Sequence, residues 1–492
     1  MMKDYNDLAR RDFLVLAGTA FGGVLTAGAA SPKDSRIVSL RDAHIGTLEI
    51  DLRIMNQYTD QPQELQDFYA ACRKALTGAD PEQAVARVCR QFKRDTLGGP
   101  MLGDVSATSV AVWIHLPEAK DVQVTVTPVE GGAGQTFKSV EAMRIHSVRC
   151  EGLSADTAYF YQVSNAENTV LGEGQFTTAP AEFSDTPFRI AFGTCFHKVG
   201  MYRAELMQQI RERGNRAMLV MGDSAVDGRR DNYGLVNADY MLRNLSPHWQ
   251  QMTANVPVTA TWDDHDYWGD DIGGTLTRQN KPINVDGVRQ SWRSQWNNPE
   301  RDVAREGIYF STRIGPVHYI ALDTRSCRVN QQRGQLNSFL GEQQMNWLKQ
   351  EIESSDSECI LISGGTMWTD YISKGKDSWG TWDTEGRERI FQWIDAKQSA
   401  RIILLSGDRH GARGFAIPRP NGGKIYELEV ACMGGVPGPG AYGAGREYQL
   451  FGYPGRTWAF GELSFSRVDN QLQVIFRMVD EQFNEAETIT LS

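Results

Sequence analysis

The chain reads as an α/β protein, with a strand–helix–strand region over residues 186–492 behind a small fibronectin-III-like β-sandwich over 96–180. Three observations predict this. Short alternating runs rich in Val, Thr and Tyr, broken by Gly and Asp turns, fill 96–180. From about 187, apolar strands alternate with helical stretches. Polar residues then collect just beyond the carboxyl ends of those strands, where open α/β sheets bind their ligands.

The N-terminus, "LARRDFLVLAGTAFGGVLTAGAASP", places Arg10 and Arg11 before a mildly apolar run that ends in small residues. It resembles a twin-arginine export signal over residues 1–30, although Ala9 and Val15 depart from the usual flanks. Residues 13–30 are too short and too rich in Gly and Thr for a membrane anchor, which needs ~20 strongly apolar residues. Residues 31–95 are polar and helical, with "PQELQDFYAACRKAL" and "DPEQAVARVCRQF" at helical spacing; no chemistry is assigned to them. "SATSVAVWIHL", "DVQVTVTPV", "DTAYFYQVSN" and "GEGQFTTAP" are the sandwich strands, and 177–187 is a linker. Beyond it come the strands "FRIAFGTC", "RAMLVMGDS", "VPVTATWDDHD", "CILISGGT" and "RIILLSGDRHG". Helices are expected at 201–213, 237–252 and 385–399, and "GIYFSTRIGPVHYIALDT" reads as a hairpin.

With 41% apolar and 23% charged residues, the composition is that of a soluble globular protein. A formal charge of −10 argues against a nucleic-acid partner, because phosphate backbones are held by basic surfaces. A small anionic substrate remains compatible where a metal or an arginine cluster reverses the local sign. The seven cysteines are scattered and odd in number, so they form no disulfide framework.

The stretch "TATWDDHDYWGDD", 259–271, holds Asp263, Asp264, Asp266, Asp270, Asp271 and His265 after a buried-strand pattern. Such close carboxylates repel unless water or a cation neutralises them. Alone, Asp223 in "MGDS" reads as a turn or cap, His410 in "SGDRHG" as a strand-end histidine and Cys195 as a small buried residue. Cys327, just past Asp323, has the same plain reading. Their shared placement favours a site, and two cations about 4 Å apart could clamp an in-line phosphoryl displacement.

Taken together, "FGTC", "MGDS", "TWDDHDY", "LISGGTMW", "DSWGTW…GRERI" and "LLSGDRHG" resemble the successive motifs of PhoD-like alkaline phosphatases, among the calcineurin-like metallophosphoesterases, over about residues 96–480. The resemblance implies a four-layer α/β/β/α domain with a dinuclear metal centre, Fe3+ with Ca2+. Asp223 would bridge the metals, Cys195 bind the ferric ion, Asp264 the second, and Asp408 and His410 complete the set. His265 would face the phosphoryl oxygens as acid or stabiliser, with Asp266 orienting its other nitrogen. A tyrosine usual three residues beyond the Gly-Asp aspartate is Val226 here, which admits Zn2+ or Mn2+; Asp227 and Tyr233 stand nearby instead.

The expected function is a periplasmic or secreted phosphomonoesterase or phosphodiesterase, in which a metal-bound hydroxide attacks phosphorus without a phosphoenzyme. Its partners would be a small phosphate ester and, during export, the twin-arginine translocase, with no stable membrane anchor. The alternatives are a phospholipase D-type diesterase acting on lipid or cell-wall polymers, and a binding protein with a relic metal site. The Gly/Pro/Tyr-rich stretch 434–456 reads as a long loop over the cleft, with Arg446 and Tyr442 contacting phosphate and organic group.

Overall fold

The computed structural model describes residues 37–299, 306–372, 377–430, 432–434, 445–453 and 458–491. The export-signal expectation and Tyr442 fall outside these residues. No helix among the described residues is long and apolar enough to cross a membrane.

Strand alternation builds the second half of the chain in layers. In Phe188–Gly193, Ile190 and Phe192 face one side while Ala191 faces the other. In Ala217–Met221, Leu219 and Met221 face the first side, Met218 and Val220 the second. Side chains of period two on strands buried on both faces require a cover on each side. One cover is a second sheet, whose Tyr319, Leu361, Ile403 and Leu405 share a core with Ile190 and Leu219. The outer covers are helices: Trp249 and Met207 share a core with Val220, and Leu348 and Ile390 with Ile362. The result is the four-layer α/β/β/α arrangement.

The first sheet runs Val258–Thr261, Ala217–Met221, Phe188–Gly193, Ala459–Val468, Gln471–Asp480, Glu485–Leu491, its first three strands parallel. The second runs Phe310–Ile314, Val317–Ala321, Cys359–Ser363, Arg401–Ser406, Lys424–Glu429, Ala412–Pro418, Gln449–Tyr453, with four parallel strands beginning at Val317–Ala321. Phe310–Ile314 and Val317–Ala321 form the expected hairpin.

Two sequence expectations change. The helix over 237–252 divides into Tyr233–Asn244 and Pro247–Thr253, because Pro247 starts a new helix whose N-cap, Ser246, accepts from Trp249 N. The long loop 434–456 contains the short helix Gly445–Tyr448 and the strand Gln449–Tyr453, which pairs antiparallel with Ala412–Pro418. Gly and Tyr had suggested a loop, whereas the free edge of that strand recruits 449–453 into the sheet.

Ahead of these sheets, Gly98–Gly103, Ser109–Lys120 and Met143–Glu151 form a three-stranded sheet, and Gln135–Lys138, Val122–Pro128, Ala158–Asn165 and Val170–Thr177 a four-stranded one. Trp113 Nε1 donates to Ser294 O at 3.1 Å and Tyr161 Oη to Ala254 O at 3.0 Å, fastening both small sheets to the layered region. Helices Leu40–Ile45, Leu48–Asn56, Gln63–Leu76 and Pro81–Phe92 precede them, with Phe68, Tyr69 and Cys72 in one core with Val236 and Tyr240.

Candidate metal centre

The carboxyl ends of the parallel strands of both sheets converge, and four of these strands deliver donors. Cys195 and His197 follow Phe188–Gly193, Asp223 follows Ala217–Met221, and Asp263 and Asp264 follow Val258–Thr261. Asp408 and His410 follow Arg401–Ser406 in the second sheet. Cys195, His197, Asp223, Asp408 and His410 all have left-handed backbones, with φ of 53, 44, 51, 75 and 56°. A non-glycine residue there costs of order 1–3 kcal/mol, and such residues gather where the surroundings impose the turn. Glycine provides the close approaches: Gly222 has φ 79°, and a Cβ on it would fall 2.4 Å from Asp263 Cβ.

Ligand atoms of Cys195, His197, Asp223 and His410 all lie within 4.8 Å of one another, as do those of Asp263, Asp264 and Asp408. Asp223 also groups with Asp264 and His265, so it stands between the two clusters. His197 Nδ1 is 3.2 Å from Asp227 Oδ1, while its Nε2 is 3.3 Å from His410 Nε2. That is the carboxylate–imidazole arrangement that orients a metal-ligating histidine.

The electrostatics fit a cation. Burial, then Asp264 and the other neighbouring carboxylates, pushes Asp223 well above the carboxylate range. Asp408 is raised by burial, then by Asp263 and Asp264. Burial and Asp223 raise the Cys195 thiol in the same way. Without positive charge these groups cannot ionise together. Burial drives Asp263 up to about 7 even though Arg325 Nε donates to its Oδ1 at 2.5 Å. For Asp264, burial is outweighed by Arg325, His265 and the backbone N–H of Asp271 at 2.6 Å, and its pKa is lowered. Burial, His197 and His265 pull His410 well below the usual imidazole value, so it presents a neutral ring. Asp263 Oδ2 and His265 Nδ1 are buried with no hydrogen-bond partner in the protein. A thiol, imidazole nitrogens and one carboxylate beside a group of three mutually repelling carboxylates suit a borderline metal beside an oxygen-ligated one.

The structure therefore brings Cys195, Asp223, Asp264, His265, Asp408 and His410 together. Asp266 is a correction: it does not orient His265. Its Oδ2 accepts from Asp223 N at 2.6 Å and Asp263 N at 3.1 Å, and its Oδ1 from Ser224 N and Oγ. Neighbouring residues on a helical turn point in different directions, so Asp266 faces the backbone of the strand ends and His265 the cleft. Tyr233 opens helix Tyr233–Asn244 and donates to Asn284 O, outside every ligand group, whereas Asp227 enters the site through His197. Arg446 is exposed on the short helix Gly445–Tyr448 and is not among the described residues lining the cavity beside His265.

Sequence reading missed His197, Arg325 and His44. His197 carried a signal, lying two residues past Cys195 in "FGTCFHKVG", and Arg325 lies at the strand end "ALDTR". His44 carried none.

A family model described as PhoD-like phosphatase matches residues 230–432, and one described as a domain of unknown function (DUF7800) matches 93–182. No curated protein matches the chain by sequence. A solved structure of PhoD is similar with a TM-score of 0.60 at 16% identity, covering 81% of this chain and 92% of that one. A purple acid phosphatase from yellow lupin (Lupinus luteus) seeds has a TM-score of 0.60 at 13% identity, covering 80% of this chain and 74% of its own. At these identities the structures show a shared fold. The family match takes in Asp263, Asp264, Asp408 and His410, while Cys195, His197 and Asp223 lie ahead of it; residues 230–432 are a PhoD-like phosphatase domain, and the enzyme is a metal-dependent phosphatase.

Proposed function

We propose that the chain is an exported phosphoric ester hydrolase with a dinuclear centre, acting on small phosphate mono- or diesters. The observation that carries this reading is the position of Asp223, shared between a Cys195/His197/His410 cluster and the Asp264 cluster. One carboxylate between two donor sets is what a bridged metal pair requires.

Cys195, His197 and His410 would hold the first metal with Asp223, and Asp264 and Asp408 the second. His197 takes the place that the missing tyrosine leaves at Val226. One thiolate, two imidazoles and a carboxylate suit Zn2+ as well as Fe3+, and the oxygen-rich second position suits Ca2+ or Mn2+. When bound, the metals supply Lewis acidity at the phosphoryl oxygens and a nucleophile active near neutral pH. The chain's own residues do the rest. Asp227 holds the His197 ring through Nδ1, Arg325 fixes Asp263 behind the carboxylates, and Asp266 fixes the Asp223 and Asp263 turns. His265, on the cleft side, donates a proton to the leaving-group oxygen. The Arg10–Arg11 run before small residues supports export by the twin-arginine translocase to the periplasm.

Elemental analysis of protein purified through its native exporter, with matched monoester and diester assays, tests this. Two metal equivalents and hydrolysis lost in Asp223→Asn are expected. Stoichiometric loading with no hydrolysis of either ester class would refute the reading.

A further inference from the structure

Residues 37–92 lie outside both family matches, yet they carry a histidine to the edge of the metal centre. His44 stands in the last turn of helix Leu40–Ile45. Its ring centroid is 4.8 Å from that of His265 and 6.1 Å from that of His197. Its Nε2 is buried without a hydrogen-bond partner, 4.0 Å from Asp227 Oδ1. The same ring lines a cavity of about 660 Å³ together with His265, Asp227, Arg230, Trp268 and Lys281.

The placement is built into the packing. Arg229 Nη1 donates to His44 O at 2.7 Å and Nη2 to Ala43 O at 3.2 Å, while its Nε donates to Asp239 Oδ2 at 2.6 Å. These bonds satisfy carbonyls that a helix end otherwise leaves open. Gly46, with φ 66°, makes room: a Cβ there would fall 2.5 Å from Arg229 Nη1. Lys198, the residue after His197, bridges Asp51 at 2.7 Å and Asp239 at 3.1 Å. One buried charge network therefore holds both the backbone of His44 and the Cys195–His197 turn.

A histidine that only filled space would turn its ring nitrogens to the protein or to bulk water. The Nε2 of His44 makes no hydrogen bond, with Asp227 Oδ1 4.0 Å away, and the ring sits beside His265, the residue placed on the phosphoryl side of the metals. We propose that His44 is a phosphate-binding residue of the active site, donating a ring hydrogen bond to a non-bridging phosphoryl oxygen next to His265. The helical segment is then part of the active site and not an appendage. This inference rests on the phosphoric ester hydrolase reading above.

The test uses the full metal-loaded chain, with inorganic phosphate as inhibitor and as calorimetric ligand. His44→Ala should weaken phosphate binding about 10- to 100-fold, the range for a hydrogen bond to a charged group, with metal content and melting temperature unchanged. His44→Gln should recover part of the loss, because its amide can still donate. Unchanged phosphate affinity in both variants overturns the proposal. So does loss of a metal equivalent in His44→Ala, which would make His44 a ligand. A loaded wild-type chain that binds phosphate but hydrolyses no ester would overturn the hydrolase reading instead, and the calorimetry would still decide His44.

Discussion

Lys198→Met takes the charge out of a place that water does not reach. Lys198 Nζ lies 2.7 Å from Asp51 Oδ1 and 3.1 Å from Asp239 Oδ1, with side-chain exposures of 1%, 0% and 2%. Methionine keeps the length and apolar stem but leaves two buried carboxylates short of a partner. Breaking a buried pair from one side destabilises by about 3–5 kcal/mol. Asp51 keeps Tyr69 Oη at 2.7 Å and Arg73 Nε at 2.9 Å, and Asp239 keeps Arg229 Nε at 2.6 Å. These remaining donors place the loss at the lower end, about 3 kcal/mol. With an unfolding entropy of ~2.1 cal/mol/K per residue over roughly 450 ordered residues, that is a fall in Tm of about 3 °C. Urea unfolding followed by circular dichroism measures the loss, and elemental analysis of the same sample reports the metals. Because the groups touch, Lys198→Met/Asp51→Asn should be more stable than the sum of the two single losses. A loss below about 1 kcal/mol, or strict additivity in the double variant, would refute the account of this network.

Two other expectations rest on the same geometry. Burial holds Asp263 at about 7 and Glu429 at about 8 in the metal-free chain, above an unfolded carboxyl near 4. The folded state then binds more protons than the unfolded one, so stability from these groups is present at low pH and is lost as pH rises through the folded pKa values. Chelator-treated protein should melt at a lower temperature at about pH 8 than at about pH 5.5, and metal should remove most of that difference; an apoprotein stabilised by rising pH in this window would contradict it. Asp266→Ala strips the acceptor from the N–H groups of Asp223, Ser224 and Asp263, each orphaned at about 1–3 kcal/mol. Denaturation and metal analysis should show a loss of several kcal/mol together with metal, whereas a stable, fully loaded and inactive variant would restore a catalytic role to Asp266.

What was legible in the sequence was local. A buried strand announces itself by an apolar run, and Gly-Asp or Asp-Asp at its end announces a polar turn, so Asp223, Asp264 and Asp408 could be placed from their neighbours alone. The strand–helix alternation, the sandwich strands and the hairpin at 310–321 rest on the same local periodicities. Direction within a turn was not legible. The resemblance made Asp266 a partner of its neighbour His265, but adjacency on a helical turn separates side chains, and only the fold shows that Asp266 caps the neighbouring strand ends.

Association between distant segments was beyond the sequence for a further reason. His197 joins His410 because the left-handed backbones at 195, 197 and 410 turn both rings inward from different sheets. His44 reaches His265 only because a polar helical segment docks through Asp51, Lys198, Asp239 and Arg229. Those four charges are ordinary surface residues in the sequence and become buried partners only once the layers have packed. The sequence by itself determined most of the parallel strands and the carboxylates at their ends, since these depend on neighbours a few residues apart, but neither the strand at 449–453 nor His197. Tertiary structure alone decided which donors share a cation and which histidines face the cleft, since that depends on the burial and turn geometry of segments far apart in the chain, 213 residues in the case of His197 and His410.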